Sequence, residues 1–179
     1  MYDPGVQRLL AISGSLRATS SNTAILQAAG LLALPGVVID HYHDLGRLPH
    51  FNPDLEERPP PEVIELRERV GRADGLLISC PEYARGIPGS FKNALDWLVG
   101  SLTFPDKPVA LINTSPRASA AQAALRLVLT TMSARLIDEA SITVDLLSRR
   151  FTPVQIAANP TIGPALVQSL QVFCAAIRS

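Results

Sequence analysis

An alternation between short apolar runs and longer segments of helical spacing constrains the fold of this chain more than any other feature of its sequence. Runs rich in apolar and β-branched residues occur at residues 8–13, 37–41, 75–80 and 109–114, and a weaker one occurs at 142–144. Strands that are buried on both faces have this composition, because helices cover both sides of a parallel sheet. The alternation therefore predicts five parallel strands separated by helices.

Amphipathic helices are predicted between the runs and near the end of the chain. Their bounds follow from apolar residues that recur every three or four positions and from the Pro or Gly residues beyond them. The predicted helices are residues 22–34, a segment opened by Pro59–Pro61, 91–99, 118–132 and a last helix containing Leu166 and Ile177. The polar, proline-containing segment 43–58 is predicted to have no regular structure, and its length makes it a candidate functional loop.

Strands that alternate with helices predict an α/β fold, a three-layer sandwich in which a parallel sheet lies between two layers of helices. Right-handed crossovers leave few arrangements of such a sheet. For five strands the flavodoxin-like order 2-1-3-4-5 is favoured over half of a Rossmann fold. The length of 179 residues, of which 47% are hydrophobic, suits a single domain over residues 1–179.

The charge balance and the cysteines indicate which binding partners and which cellular compartment to expect. Basic and acidic residues are equal at 16 each, so neither nucleic acid nor an anionic membrane is an expected partner. Cys80 and Cys174 lie in apolar stretches, which favours two buried thiols over a disulfide. The segment Met1–Gly5 has no basic region followed by an apolar one, and no run is long enough for a membrane span. We therefore expect a cytoplasmic protein.

The segment between the first strand and the first helix, Gly14–Asn22, is rich in groups that bind phosphate. Backbone amides at a helix N-terminus have no partner within the helix, and the helix dipole favours an anion there. Ser15, Ser20 and Ser21 add hydroxyls, and Arg17 adds a guanidinium that can bind two phosphate oxygens. An ordinary helix cap needs one such residue, so phosphate binding is favoured over capping alone. Neither GxxxxGKS/T nor GxGxxG occurs, so the expected ligand is a monophosphate.

The segment after the third strand, Pro81–Gly89, predicts a rigid and sharply turned backbone. It contains two prolines and two glycines around Tyr83. Such a backbone can set N–H and C=O groups along the edge of a flat ring while Tyr83 packs against its face. A merely tight turn accounts for Pro88–Gly89 but not for Glu82 and Tyr83 at the sheet edge, where ligands of such folds bind.

These segments resemble a known family. The motif residues are Gly14-Ser15-Leu16-Arg17 with Ser20 and Asn22, then Pro81-Glu82-Tyr83, then Ile87–Trp97 (IPGSFKNALDW). Together they are similar to the NAD(P)H-dependent FMN reductase family, which includes quinone, azo and chromate reductases. The resemblance runs from about Arg8 to Met132 and implies a flavodoxin-like enzyme. Such an enzyme passes reducing equivalents from NADPH or NADH through FMN to a quinone or a similar small acceptor, in a ping-pong cycle.

The resemblance also implies which residues bind the flavin. The phosphate would be held by Ser15, Arg17, Ser20, Ser21 and Asn22. The isoalloxazine ring would be bordered by Pro81, Glu82, Tyr83, Ala84, Arg85 and Gly86, and its pyrimidine side by Ser115, Pro116 and Arg117. Because the flavin supplies the chemistry, no catalytic side chain is expected. Members are typically homodimers or homotetramers with the flavin near a subunit interface.

The sequence departs from the family at two positions and leaves some residues with two interpretations. Many members have Asn at the position of Ala84 and a hydroxyl residue at that of Gly86. Arg85 would either meet the 2′-phosphate of NADPH or be solvated, and Trp97 would lie either in a dimer interface or in the core. His41 and His43, two residues apart, lack a spacing that would add further metal ligands, so no metal site is expected.

Two other function classes compete with the reductase. A flavodoxin-type electron carrier would bind FMN without oxidising NAD(P)H itself. Such carriers dock through acidic surfaces, and a net charge of zero does not favour that. A flavin-free interaction module is the third alternative, and failure to reconstitute the protein with FMN would indicate it.

Overall fold

A parallel sheet in the predicted order forms the centre of the fold. The computed structural model describes residues 5–147 and 149–178, so residues 1–4, on which the expectation of no signal peptide partly depends, lie outside the described residues. The strand order is β2-β1-β3-β4-β5, and β6 also pairs with β4. The strands are β1 (Gln7–Ser13), β2 (Val37–Tyr42), β3 (Gly75–Ser79), β4 (Pro108–Asn113), β5 (Arg135–Leu136) and β6 (Ile142–Thr143).

Helices cover both faces of this sheet. They are α1 (Ser21–Leu31), α2 (Pro61–Arg72), α3 (Gly89–Val99), α4 (Ser119–Thr131), α5 (Pro153–Ala157) and α6 (Ile162–Arg178). The sequence did not predict α5, because five residues are too few for a periodic signal. Within the described ranges, no helix has the length and apolar character needed to cross a bilayer.

The register of the strands brings their carboxyl ends to one edge. Ser13 at the end of β1 is level with Ser79 at the end of β3. On the other side, Ile78 of β3 pairs with Leu111 of β4. The loops that follow β1, β3 and β4 therefore leave the sheet at the same edge, where ligands bind in open α/β sheets.

The fifth position of the sheet differs from the prediction. A single strand was expected at 142–144, but two short segments occupy the position: β5 pairs with the start of β4, and β6 pairs with its end. A 3₁₀ turn at Asp138–Ala140 separates them. At the break, Leu111 of β4 donates its backbone N–H to the Ser141 hydroxyl at 3.0 Å. The Ser141 side chain thus replaces one backbone hydrogen bond between neighbouring strands. This interruption of the strand explains why the apolar run at 142–144 is weak in the sequence.

The segment 43–58 also differs from the prediction, since it contains two single 3₁₀ turns, Leu45–Arg47 and Pro53–Leu55. Proline at the start of the second turn fixes its backbone angle, and the segment is tied to α3. Trp97 Nε1 donates to the backbone oxygen of Pro49 at 2.8 Å, and the Trp97 side chain is fully buried. The sequence left Trp97 either in a dimer interface or in the core, and the core position is the correct one.

The core lies in two clusters, one on each face of the sheet. Leu10 and Ile12 of β1 point into the cluster with α2, α3 and α4, whereas Leu9 and Ala11 point into the cluster with α1, α5 and α6. Successive residues alternate in this way because side chains of a strand point to opposite faces. Cys80 belongs to the first cluster and Cys174 to the second, and both are free thiols. The prediction of two buried thiols without a disulfide is confirmed.

Candidate functional site

A cleft of about 770 Å³ opens at the carboxyl edge of the sheet. The three loops that the topology brings to this edge form most of its wall: the β1–α1, β3–α3 and β4–α4 loops. A fourth wall comes from the segment that precedes α5, which the sequence did not single out. The cleft is large enough for a nucleotide-sized ligand.

Gly14 allows the β1–α1 loop to approach β3 closely. Its backbone N–H donates to the Ser79 oxygen at 2.8 Å, which continues the strand pairing into the loop. A Cβ at this position would lie 3.0 Å from Cys80 Sγ and 3.3 Å from the Phe91 ring. Only a residue without a side chain fits there unless the neighbours move.

The N-terminus of α1 faces the cleft with unused donors. Ser20 is the N-cap, and its Oγ accepts the Thr23 backbone N–H at 3.4 Å. The amides of Ser21 and Asn22, at the first two positions of the helix, have no acceptor within it. Ser20 therefore has the capping role that was the alternative to phosphate binding, while the two following amides stay available to a ligand.

Arg17 adds a charged group to this end of the cleft. Its backbone N–H donates to Ser15 Oγ at 3.3 Å, which fixes the local turn. Arg17 lines the cleft, and its guanidinium forms no ion pair within residues 5–147 and 149–178. An uncommitted guanidinium beside a helix N-terminus is a favourable environment for a phosphate.

Asn22 ties the start of α1 to the ends of two strands, β3 and β4. Its Oδ1 accepts from Ser79 Oγ at 2.9 Å and from Thr114 Oγ1 at 3.2 Å, and all three side chains are buried. The side-chain oxygen is thus used in holding β1–α1, β3 and β4 at a fixed separation. This bracing role was not predicted, and it leaves the side-chain N–H₂ and the backbone N–H of Asn22 as its donors toward the cleft.

The β3–α3 loop contains the sharp turn that the sequence predicts. Tyr83 and Gly86 exchange two backbone hydrogen bonds, at 3.1 Å and 3.0 Å. The two residues between them, Ala84 and Arg85, have φ of 49° and 61°. Positive φ at both central positions is the geometry of a two-residue hairpin turn, which favours Asn-Gly and is strained for other residues. The turn presents Tyr83, 45% exposed, at the cleft wall.

Glu82 links this loop to α4. Its Oε2 accepts the Ala121 backbone N–H at 3.0 Å, in the first turn of that helix. A carboxylate at a helix N-terminus is favoured by the dipole and by the unpaired amides. Among the described residues that line the cleft, Glu82 has the sole carboxylate, and it is committed to this contact.

The β4–α4 loop is folded by side chains that bond to its own backbone. Asn113 Nδ2 donates to the Ser115 oxygen at 2.8 Å, and Asn113 Oδ1 accepts the Ser115 N–H at 3.1 Å. Ser115 Oγ in turn accepts the Arg117 N–H at 3.2 Å. Asn and Ser form such local turns readily. Asn113 and Thr114 line the cleft although they were not predicted as site residues, and their position at a strand end was the signal available.

The segment before α5 supplies the fourth wall. The backbone N–H of Leu146 donates to the Thr114 oxygen at 3.1 Å, which holds the segment against the β4–α4 loop. Beyond it, Arg149, Arg150 and Phe151 line the cleft. No motif marks these residues, so sequence reasoning had no basis for including them.

The thiol of Cys80 lines the cleft but is not activated. Burial raises its pKa to about 12, because the thiolate would lose its hydration. A neutral thiol is a poor nucleophile, so the cleft shows no activated cysteine.

Comparison with known proteins places this geometry in a family. The sequence model for NADPH-dependent FMN reductases matches residues 7–146, which include the first three walls of the cleft. The chain belongs to the NADPH-dependent FMN reductase family. The resemblance seen in the sequence is confirmed.

Curated members of the reductase family are similar over part of their length. A probable NADPH:quinone oxidoreductase of Oryza sativa is 42% identical over 120 residues, which is 63% of this chain and 58% of the rice protein. An NAD(P)H-dependent FMN reductase of Pseudomonas aeruginosa is 40% identical over 111 residues, 60% of each chain. The matched segments thus span less than two thirds of these relatives.

A solved structure of similar length supports the fold over nearly the whole chain. FerB, an NAD(P)H:(acceptor) oxidoreductase from Paracoccus denitrificans, superposes with a TM-score of 0.79 at 28% identity and covers 97% of this chain and 98% of its own. The flavodoxin-like fold class is therefore confirmed. The apo form of an NADH:FMN oxidoreductase, at 20% identity and a TM-score of 0.65, shows the same fold.

The structure brings most of the predicted reductase site together. Ten predicted residues line the cleft: Ser15, Arg17, Ser20, Ser21, Asn22, Pro81, Glu82, Tyr83, Ser115 and Arg117. Four predicted residues are not among those lining it: Ala84, Arg85, Gly86 and Pro116. Ala84 and Arg85 are the two central residues of the hairpin turn, Gly86 pairs with Tyr83 at its base, and Pro116 is exposed on the β4–α4 loop.

The histidines considered as metal ligands lie away from the cleft. The rings of His41 and His43 stack with centroids 6.0 Å apart, and neither residue is among those that line the cleft. Across the part of the chain that the structure describes, no group of three or more His, Cys, Asp and Glu side chains is placed to hold a metal ion.

Proposed function

We propose that this chain binds FMN in the cleft and reduces it with NADPH or NADH, passing the electrons to a quinone or a similar small acceptor. The observation that supports this most directly is the open N-terminus of α1 beside the uncommitted Arg17, at one end of a cleft of about 770 Å³. Membership of the reductase family supports the same cofactor.

The donor set fits the 5′-phosphate of FMN. A phosphate monoester carries about −1.5 to −2 charges at neutral pH and has three acceptor oxygens. The free amides of Ser21 and Asn22, the Ser15 hydroxyl and the Arg17 guanidinium provide complementary donors at the positive end of a helix. All of these groups would be satisfied by one bound phosphate.

The remaining walls suit a flat ring. Residues of the Pro81–Tyr83 segment and of the Ser115–Arg117 segment face the same cleft. In this proposal the two loops hold the edges of the isoalloxazine, and Tyr83 packs beside it. Their fixed spacing comes from the Glu82 contact to α4 and from the Asn22 brace, so the ring site is preorganised.

The chemistry would come from the bound flavin, which accepts a hydride equivalent from a nicotinamide and returns two electrons to an acceptor. With a quinone as acceptor, the overall reaction converts NAD(P)H, one proton and the quinone into NAD(P)⁺ and the quinol. The residues around the cleft orient the ring and leave it accessible. A single open site that serves both substrates in turn is a ping-pong arrangement.

The names of the relatives support quinones as the acceptor class. Both a plant and a bacterial relative are named for quinone reduction, at 42% and 36% identity. In the cell we propose a cytoplasmic, single-domain protein that acts as a homodimer or homotetramer. Size-exclusion chromatography with light scattering tests the assembly.

Steady-state oxidation of NADPH and NADH by the FMN-loaded protein, with and without a benzoquinone, tests the proposed activity. We expect oxidation well above that of free FMN, and parallel initial-rate lines when the two substrates are varied. Bound FMN without any oxidation of either nucleotide would instead indicate the flavodoxin-type carrier. A protein that cannot be loaded with FMN would indicate the interaction module.

A further inference from the structure

The cleft holds more positive charge than one flavin phosphate requires. Four arginine residues line it, and the one carboxylate residue on its described wall, Glu82, is bound to an α4 backbone amide. The four are Arg17, Arg117, Arg149 and Arg150. One phosphate monoester neutralises about two of these charges. Since the whole chain has a net charge of zero, this surplus is local to the cleft and favours a second anionic group there.

The two arginines of the fourth wall sit on an anchored segment. On one side, the Arg149 backbone N–H donates to the oxygen of the buried Leu146 at 3.2 Å. On the other side, Thr152 caps α5: its Oγ1 accepts the Gln155 N–H at 3.3 Å, and its own N–H donates to Gln155 Oε1 at 2.9 Å. This reciprocal capping box fixes the point at which the segment enters the helix.

The side chains of this segment are available to a ligand. The Arg149 guanidinium carbon lies 5.8 Å from the centroid of the Phe151 ring, a cation–π distance that restrains the side chain along the wall. Neither Arg149 nor Arg150 forms an ion pair in the described part of the chain. Two adjacent guanidiniums without carboxylate partners are suited to a phosphate.

Arg149 and Arg150 belong to a different wall of the cleft from the proposed phosphate donors, which lie in the β1–α1 segment and at the start of α1. The α5 helix packs on α1, and Ala24 and Gln27 of α1 also line the cleft. The donors proposed for the FMN phosphate lie within the family match, which covers residues 7–146, whereas Arg149 and Arg150 lie beyond it. The proposed flavin site therefore does not include Arg149 or Arg150.

We propose that Arg149 and Arg150 bind the 2′-phosphate of NADPH and give this chain a preference for NADPH over NADH. The inference depends on the proposed function, because it assigns residues to the co-substrate of the same cleft. The 2′-phosphate is the group that distinguishes the two nucleotides, and arginine is the side chain that accommodates it in other dinucleotide sites. The exposed Arg85, at the tip of the hairpin turn outside the cleft wall, is thereby left without this role.

The test uses the FMN-loaded protein and an R149A/R150A variant, with Arg72→Ala as the matched control because its exposed guanidinium lies on α2, away from the cleft. The KM for NADPH should rise at least about tenfold in the double variant. The KM for NADH, the kcat with NADH and the dissociation constant for FMN should each change less than about twofold. An R149K/R150K variant, which keeps both charges without the planar fork, should lie between the two.

A binding measurement tests the proposed 2′-phosphate site independently of the enzymatic activity. Calorimetric titration with adenosine 2′,5′-bisphosphate should show binding that weakens at least about tenfold in R149A/R150A, while binding of 5′-AMP is unchanged. Equal losses for both ligands, or for NADPH and NADH, would overturn the assignment. So would a loss of FMN affinity, which would place the two arginines in the flavin phosphate site. Absence of any NAD(P)H oxidation together with selective bisphosphate binding would refute the proposed activity but leave this site standing.

Discussion

Polar residues of the β1–α1 loop divide between building the cleft and leaving donors free within it. Ser20 caps α1 and Asn22 Oδ1 braces β3 and β4, so both are already engaged in the protein itself. Arg17 is exposed and has no carboxylate partner in the described residues. Substitution at Arg17 should therefore reduce ligand binding without lowering stability, whereas substitution at Asn22 should do both.

Replacement of Arg17 by Ala should weaken the binding of FMN. The loss of a charge-assisted hydrogen bond amounts to about 1.5–3 kcal/mol, which corresponds to roughly tenfold or more in the dissociation constant. Fluorescence titration with FMN measures it. Riboflavin, which lacks the phosphate, is the matched control ligand, and its affinity should not change. Equal losses for both flavins would mean that Arg17 supports the ring site rather than the phosphate.

His41 should make the stability of the fold sensitive to acid. Its pKa is lowered from 6.5, first by burial, then by the neighbouring His43 and, less strongly, by Arg69, while Asp40 opposes the shift. Below about pH 6.5 the unfolded chain takes up a proton that the folded chain resists, so the free energy of unfolding falls as the pH decreases through that window. Urea unfolding between pH 7 and pH 5 checks this, and His41→Gln should flatten the dependence. An unchanged slope in that variant would assign the effect to other groups.

At the scale of the elements, the turn between Tyr83 and Gly86 stands out because two residues with side chains adopt positive φ. Ala84 and Arg85 occupy positions where Asn and Gly are favoured. Strain at such positions costs on the order of 1 kcal/mol or more for each residue. The turn sets the Tyr83 wall of the cleft, so this strain lies at the site.

Arg85→Gly should stabilise the protein by about 1 kcal/mol, because glycine adopts a φ near 61° without steric cost. Thermal unfolding of the variant measures the gain. Arg85→Ala is the matched control, since it removes the guanidinium but keeps the Cβ, and it should leave the melting temperature nearly unchanged. If both variants were equally stabilised, repulsion of the charge, and not the backbone angle, would be the cause.

The sequence predicted the elements whose signals are local. Four strands were predicted to within one residue of their observed bounds, whereas the first helix, predicted at 22–34, ends three residues earlier at Leu31. The strand order follows from the alternation of strands and helices. The loops of the site follow because the topology fixes where they meet. Helix α5 and the interrupted fifth strand did not follow, since segments of two to five residues have no measurable period.

The contents of the site were harder to predict than its position. Nothing in the sequence shows that Asn22 would accept hydrogen bonds from Ser79 and Thr114, since the contact joins residues 57 and 92 positions away. The fourth wall was missed for the same reason. Arg149 and Arg150 reach the cleft because Leu146 bonds to Thr114 and α5 packs on α1, and those contacts are tertiary.

At the scale of the whole molecule, equal charge totals conceal an uneven distribution. Basic and acidic residues number 16 each, yet four arginines and one engaged carboxylate line the cleft. Several charges elsewhere are paired, as along α2, where Glu68 and Arg72 lie 2.7 Å apart. Such a molecule attracts small anions to one place without a long-range field for polyanions.

The two core clusters make the cleft rigid. Each face of the sheet has its own set of buried side chains, and the loops of the site extend directly from strands that lie between the two. A cofactor site placed on such ends needs little reorganisation when the ligand binds. We therefore expect heteronuclear NMR shifts on FMN addition to be confined to the four cleft walls, and shifts spread through α2 and α6 would argue against a preorganised site.

Anaerobic titration of the FMN-loaded protein with NADPH tests the central claim most directly, since it requires a bound flavin and a co-substrate in the same cleft. The visible absorbance of the flavin should bleach with one equivalent of NADPH per bound FMN and return on addition of a quinone. A flavin band that stays unchanged under excess NADPH and excess NADH, in protein shown to retain its FMN, would contradict the account.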